Sequence, residues 1–434
     1  MSLIVGQKLL AESLNWELTI QKKLGEGGQG AVFLADTPHG PYVVKWYNSL
    51  YANATQRAAI LELVKHGPPK KVSHRFVWPK ALVTSANSAL FGYLMPLIDT
   101  QRFAELGDVW ARRRPAPDLA ALCEISYQIA NSFRTLHLDG FCYRDVSKGN
   151  LMFDSVSGDV LICDNDNVTV DGKGPATVLG TRRFMAPEIV RREADPSSAT
   201  DLFSLAVLLF YILVSDHPLV GRREHGFECW DEHAESELFG HHPLFVFDPV
   251  DPSNAPDPSI HSGMLRSWEL YPTFVRELFT QAFTTGLTDP WNGRVRESVW
   301  RAAAARLLDS IVRCATCRHE NYQGASTAGR CRFCDGLLPA PPALVVGHHR
   351  IAVAEGAVLT SHHLLDDYDV FTAVGRIVAH PNRPDLLGLR NESTATWRGW
   401  QRDQSAHAVE PGRSFRLQPG ARIELAPGRT VIVE

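Results

Sequence analysis

The stretch YRDVSKGNLMFDSVSGDVLICDNDN, residues 143–167, decides how the chain reads. It holds Asp145, then Asn150 five positions later, then Asp164 a further fourteen on. Two aspartates and an asparagine at these offsets form a spacing used for phosphoryl transfer. Fixed cations are what phosphoryl transfer needs, because charge spreads over the phosphoryl oxygens in the transition state. Several residues that flank the three are unusual company for that chemistry. The stretch is therefore either a working site or one that has lost its activity.

Upstream, GEGGQGAV places Gly25, Gly27 and Gly30 between two expected strands, followed by Val32. The pattern lets backbone turn tightly and approach phosphates without side-chain interference. A glycine turn without a ligand is the plainer reading of these residues alone. Fifteen residues beyond Gly30, YVVK ends in Lys45, a cation on an otherwise apolar strand and suited to phosphate oxygens. An edge-strand surface lysine is the alternative. Glu62 is the sole carboxylate in the helical stretch 53–66, so it is expected to pair with Lys45; a solvated helix face is its other reading.

In order and offset, these motifs resemble the eukaryotic-like Ser/Thr protein kinase family over about residues 15–310. YRDVSKGN matches the catalytic loop at Arg144, Asp145 and Asn150, LICD supplies Asp164, and GTRRFMAPE (180–188) matches the end of an activation segment. The resemblance implies that Asp145 orients the acceptor hydroxyl and takes its proton, and that Asn150 and Asp164 ligate magnesium or manganese. It makes Lys45 the phosphate-binding lysine of ATP and Glu62 its partner. In FGYLMPLID, Met95 is expected to line the adenine pocket and Leu97 to offer backbone hydrogen bonds, since Pro96 has no N–H to give. Glu188, Asp201 and Arg294 take structural roles, Glu188 pairing with Arg294 and Asp201 bracing the catalytic loop. Thr177 is a candidate autophosphorylation site.

Three departures stand out. Tyr143 replaces a histidine, Ser147 replaces the lysine that contacts the γ-phosphate, and Lys148 appears one position later as its candidate substitute. Asp164-Asn165-Asp166 puts an amide where an aromatic normally packs beneath the helix carrying Glu62. An unpartnered buried amide costs about 1–3 kcal/mol, so His66, one turn after Glu62, is expected to hydrogen-bond Asn165. Asp166 reads as a solvated turn residue, with a third metal-side carboxylate as the alternative. Lys45, Asp145 and Asp164, the residues that pseudokinases more often lose, are all retained, which favours an active enzyme over a nucleotide-binding pseudokinase scaffold. Phosphotransfer to another class of acceptor also fits the site, although GTRRFMAPE favours a protein.

Composition agrees with a soluble globular chain: 434 residues, 44% hydrophobic, 21% charged, net charge −4. That balance argues against a nucleic-acid partner. The apolar run LFSLAVLLFYILV (202–214) is short for a bilayer and reads as a buried helix; the N-terminus lacks the features of a secretory signal, so the expected location is cytoplasmic and off the membrane. Residues 222–270 carry ten carboxylates against three arginines, composition suited to an exposed insertion and a docking surface.

Cys314, Cys317, Cys331 and Cys334 form two CxxC pairs, a spacing that suits a structural tetrahedral zinc ion; a redox CxxC is the alternative. Beyond them, VGRIVAHPNRPDLLGLRNES weakly resembles a forkhead-associated β-sandwich, with Arg376 matching a phosphothreonine-contacting arginine. The Ser-x-x-His element of that family is absent, so a degenerate protein-binding sandwich is the reading taken. The expected fold class is α+β: a bilobal protein-kinase fold at 13–310 (N-lobe about 13–95, C-lobe about 99–310), a four-cysteine zinc ribbon at 311–337 and an all-β sandwich-like domain at 344–434. By analogy with bacterial signalling modules of this layout, partners are a protein substrate, a metal-dependent protein phosphatase and a von Willebrand A-type protein.

Overall fold

Six antiparallel strands open the computed structural model and close into a barrel: β1 (Lys8–Ala11), β2 (Trp16–Gly27), β3 (Gly30–Thr37), β4 (Gly40–Tyr47), β5 (Ala81–Ser85) and β6 (Ser88–Pro96), in the order β1-β2-β3-β4-β6-β5. The structure describes residues 3–172, 179–325, 327 and 329–434; Thr177 lies outside them. β1 pairs with β2 on one side and β5 on the other, closing the barrel, so the lobe begins ahead of the expected residue 13. Inward-facing Leu18, Ile20, Phe33, Val44, Trp46, Val83 and Leu94 fill its core. Alternation along β4 puts Val44 and Trp46 in that core and leaves Lys45 and Tyr47 together on the other face. Gly30 is required by packing, since a Cβ there would stand 2.1 Å from the Trp46 carbonyl oxygen.

Helix α1 (Ala54–His66) starts at Asn53, whose side chain accepts from the Gln56 amide. Its buried residues are Ile60 and Leu63. Trp78 Nε1 donates to the Leu63 carbonyl at 2.9 Å, tying the helix to the chain that leads into β5.

The run 202–214 lies within the helix Ser198–Val214, buried along nearly its whole length and opened by a reciprocal capping box between Ser197 and Thr200. Ahead of it, Leu151–Phe153 and Val160–Ile162 pair antiparallel. Glu188 takes two hydrogen bonds from Arg294, at 2.8 and 2.9 Å, with the guanidinium also reaching the Ala199 carbonyl. The acidic stretch is not a wholly exposed insertion. Leu238, Phe239, Phe245 and Val246 are buried, and Asn254 is anchored to the Leu219 and Leu244 carbonyls. Short apolar runs between the carboxylates supply that anchorage.

By compactness the chain divides into two units, one of Met1–Ala116, Gln128–Asp257 and Thr280–Ser298, the other of Pro117–Tyr127, Pro258–Phe279 and Val299–Glu434. The division falls inside helices and does not follow the expected boundary at 310. In the second unit a hairpin (Ile311–Arg313 with Glu320–Tyr322) accompanies the two CxxC turns. A six-stranded and a four-stranded sheet follow. Their facing residues share one core around Leu344, Ile351, Ile377, Leu389, Trp397, Phe415 and Val431. Among the described residues, no helix is long and apolar enough to cross a membrane.

Candidate active site

Lys45 is 6% exposed, and its ammonium is shared by two carboxylates and an amide. Nζ lies 2.6 Å from Asp164 Oδ1, 3.0 Å from both Asp166 oxygens and 2.7 Å from Gln29 Oε1. Burial opposes the charge, but Asp166 and Asp164 outweigh it and hold the Lys45 pKa above the ordinary lysine value. The expected Lys45–Glu62 pair is not formed: Glu62 stands on the exposed side of α1, and the carboxylates paired with Lys45 among the described residues are Asp164 and Asp166. Asp166, expected to be a solvated turn residue, is 3% exposed and also accepts from the Tyr47 hydroxyl. The helix reaches the site through Gln56, whose Nε2 donates to Tyr47 Oη at 2.9 Å and to the Asp166 carbonyl at 3.4 Å.

Asp145 and Asn150 sit on one loop, with Asn150 Nδ2 donating to the Asp145 carbonyl at 2.8 Å and to its Oδ2 at 3.1 Å. The Cys163 amide donates to the Asn150 carbonyl at 2.9 Å, so the paired strands deliver Asn150 and Asp164 side by side. The other Asp145 oxygen, Oδ1, accepts from the Thr181 hydroxyl at 2.7 Å. Burial raises the Asp145 pKa against the lowering effect of Thr181 and Asn150. Burial, then the neighbouring Asp166 charge, push Asp164 up to about 6 despite Lys45. Arg144 and Asp164 both have left-handed backbone, φ 73° and 53°, a cost accepted where side chains must be aimed. Asp201 fixes the loop by accepting from the Tyr143 and Arg144 amides at 2.6 and 3.0 Å. His137 bonds Asp201 and Glu297, and against burial those carboxylates lift its pKa to about 9.

Comparison with known proteins matches residues 18–241, just over half of the chain, to the protein kinase domain. The chain belongs to the protein kinase family. It is 25% identical to Protein kinase YegI of Escherichia coli (strain K12), over 68% of this kinase and 45% of the relative. It is 26% identical to serine/threonine-protein kinase PkaB of Streptomyces coelicolor, over 49% of this kinase and 52% of that protein. The kinase thus spans about half the length of these curated relatives.

In this kinase Gly25, Gly27 and Gly30 fall in the β2–β3 hairpin, where a Cβ on Gly25 or Gly27 would meet open space. Val32 lies opposite Lys45 in the β3–β4 register. Met95 is half-buried near the end of β6 and Leu97 is exposed just beyond it. Lys148 holds its ammonium 4.8 Å from the Trp110 ring centre and 5.3 Å from that of Tyr211. Burial, then Arg183, lower its pKa. Asn165 and His66 do not bond. His66 Nδ1 lies at the Gly67 carbonyl, while Asn165 Nδ2 donates to the Ile162 carbonyl and its buried Oδ1 has no partner among the described residues.

Sequence reasoning missed Gln29, Tyr47 and Gln56. Tyr47 carried a signal, being two residues from Lys45 on one strand and so on the same face. Gln56 carried one too, lying four and seven residues before the buried Ile60 and Leu63.

The protein kinase family implies ATP with magnesium or manganese. Asp164 and Asn150 carry side-chain oxygens of the hard type that suits magnesium or manganese, and the Lys45 ammonium is met by two carboxylates, Asp164 and Asp166. The four cysteine sulfurs all lie within 4.8 Å of one another, with Cys314–Cys334 at 3.6 Å and Cys317–Cys331 at 3.5 Å. A tetrahedron with metal–sulfur bonds of about 2.3 Å has edges of about 3.8 Å, so the set is compatible with zinc.

Proposed function

We propose that the chain is a Ser/Thr protein kinase that transfers the γ-phosphate of ATP to a protein hydroxyl. The observation that carries this reading is the hydroxyl already seated on Asp145, Thr181 Oγ1 at 2.7 Å. An acceptor serine or threonine hydroxyl takes a comparable bond on that carboxylate, which orients it and receives its proton as the new O–P bond forms. Lys45, steadied by Asp166, binds the α- and β-phosphates; Gly25, Gly27, Gly30 and Val32 cover the nucleotide, and Met95 and Leu97 border the adenine. Asn150 and Asp164 hold magnesium or manganese, which neutralises charge on the phosphate oxygens. Lys148, on the loop between Asp145 and Asn150, rests its ammonium over the Trp110 and Tyr211 rings and takes no defined role.

The two CxxC turns hold a structural zinc ion, and the C-terminal sheets serve as a degenerate forkhead-associated-like module that recruits protein partners. Arg376 supports the degenerate reading, because its Nε is already bonded to Glu392 at 3.0 Å. A metal-dependent phosphatase and a von Willebrand A-type protein are partners proposed on resemblance alone, in the cytoplasm. The test is transfer of labelled γ-phosphate with magnesium or manganese, to the protein itself and to generic acceptors. Labelling by the intact chain that disappears in Asp145→Asn and in Asp164→Asn supports the kinase. ATP binding without transfer in the intact chain overturns it in favour of a scaffold.

A further inference from the structure

The second unit carries a group of imidazoles that neither the kinase reaction nor the cysteine turns use. His348 lies in the turn, and His349 opens the second strand, of a hairpin whose strands are Ala343–Val346 and His349–Ala352. Asp366 caps the helix Ser361–Leu365 seventeen residues further on, in left-handed backbone with φ 54°, its amide donating to the His362 carbonyl. His349 Nε2 is 2.8 Å and His348 Nε2 3.6 Å from the same oxygen, Asp366 Oδ1. One ligand atom from each of the three residues falls within 4.8 Å of the others. His362 stands alongside, its ring centre 4.6 Å from that of His349. It is 5% exposed, and its Nδ1 is buried without a hydrogen-bond partner among the described residues.

We propose that His348, His349 and Asp366 bind a zinc-class divalent transition-metal ion, distinct from the four-thiolate site. Two neutral imidazoles and a carboxylate suit zinc, copper or nickel and are poor ligands for magnesium or calcium. With bonds of about 2.0–2.1 Å, tetrahedral donors stand about 3.3–3.4 Å apart. The His348–Asp366 distance is close to that, and the His349–Asp366 distance has to open by about half an ångström from its present hydrogen bond. Three protein ligands leave a fourth position for water. The unpartnered buried nitrogen of His362 is a polar group poised beside the site. The ligands come from two separated segments, so the ion ties the hairpin to the end of the helix and stiffens that edge of the β-domain. This inference does not depend on whether the kinase is active.

The experiment uses the full chain, stripped with a chelator, re-equilibrated with zinc, dialysed, and assayed for metal per chain by mass spectrometry. His349→Ala, His348→Ala and Asp366→Asn are compared with the native sequence, the last two being changes at exposed side chains. The expected result is two equivalents in the native chain and one in each variant. Cobalt loading provides a second readout: the thiolate-to-cobalt absorption stays constant across the series while the non-thiolate bands fall in the variants. The same metal content in the native chain and in His348→Ala and Asp366→Asn overturns the proposal and leaves a surface hydrogen-bonded cluster. If His349→Ala loses the thiolate absorption as well, it has unfolded the unit, and the two exposed-site variants decide the matter.

Discussion

Asp166→Asn and Glu62→Gln separate two accounts of how the active-site lysine is held. Both substitutions keep the shape of the side chain and remove one negative charge. Lys45 Nζ lies 3.0 Å from each Asp166 oxygen, in a site where Lys45 is 6% and Asp166 3% exposed. At an effective dielectric of about 20, unit charges at that separation attract by about 5 kcal/mol. Desolvation cancels part of this, and a hydrogen bond to a charged group contributes about 1.5–3 kcal/mol net. The Asp164 contact at 2.6 Å survives in the variant, as does an oxygen for the Tyr47 hydroxyl. Asp166→Asn is therefore expected to cost about 2–3 kcal/mol in urea unfolding and, if the loss is carried into the transition state, about 30- to 150-fold in kcat/KM for ATP. Glu62 is exposed, and Glu62→Gln is expected to change stability by less than about 0.5 kcal/mol and kcat/KM by no more than about twofold. A loss of turnover in Glu62→Gln as large as that in Asp166→Asn would refute the reasoning, since it would show that α1 swings to bring Glu62 onto Lys45 during catalysis.

Three further outcomes follow from the same geometry. On the proposed metal site, burial and the Asp166 charge push the Asp164 carboxyl up to about 6, so protons compete with the metal below that; titration of magnesium-nucleotide binding is expected to show the apparent affinity falling towards tenfold per pH unit beneath pH 6, and a flat profile from pH 7 to 5 contradicts this. His137 has its pKa raised to about 9, so its contribution is complete below the unfolded value of 6.5 and is lost as pH rises through 9; chemical denaturation is expected to show about 2–4 kcal/mol lost over that window, and a much smaller loss in His137→Asn. Arg294→Met strands the Glu188 carboxylate and is expected to lower stability by about 3–5 kcal/mol, with thermal melting as the check and an unchanged melting temperature as the contrary result.

The loop of Asp145 and Asn150, the strand lysine and the cysteine turns were legible because each is a short-range pattern. Asp145 and Asn150 share one loop, Lys45 sits in one strand, and each CxxC closes one turn. Glu62 was misread because charge was weighed ahead of helical phase. Gln56, Ile60 and Leu63 recur at four and three residues and mark one face of α1, while Glu62 falls off that face. Asn165 was legible as an amide in place of an aromatic, but not its partner. The Ile162 carbonyl is three residues away along the chain, a local solution that competed with the longer reach to His66. Lys148 was chosen for its place in sequence, and its position over the Trp110 and Tyr211 rings is set by packing between separate segments.

By itself, the sequence determined the family and brought out the candidate oxygen donors and the two CxxC turns, since those depend on residue identity at fixed local offsets. The closing strand β1, the Gln56–Tyr47–Asp166–Lys45 chain and the meeting of His348 and His349 with Asp366 were decided only by the tertiary structure. Each joins residues from separate segments, and which polar group is left facing which charge is settled by how those segments pack when water is excluded.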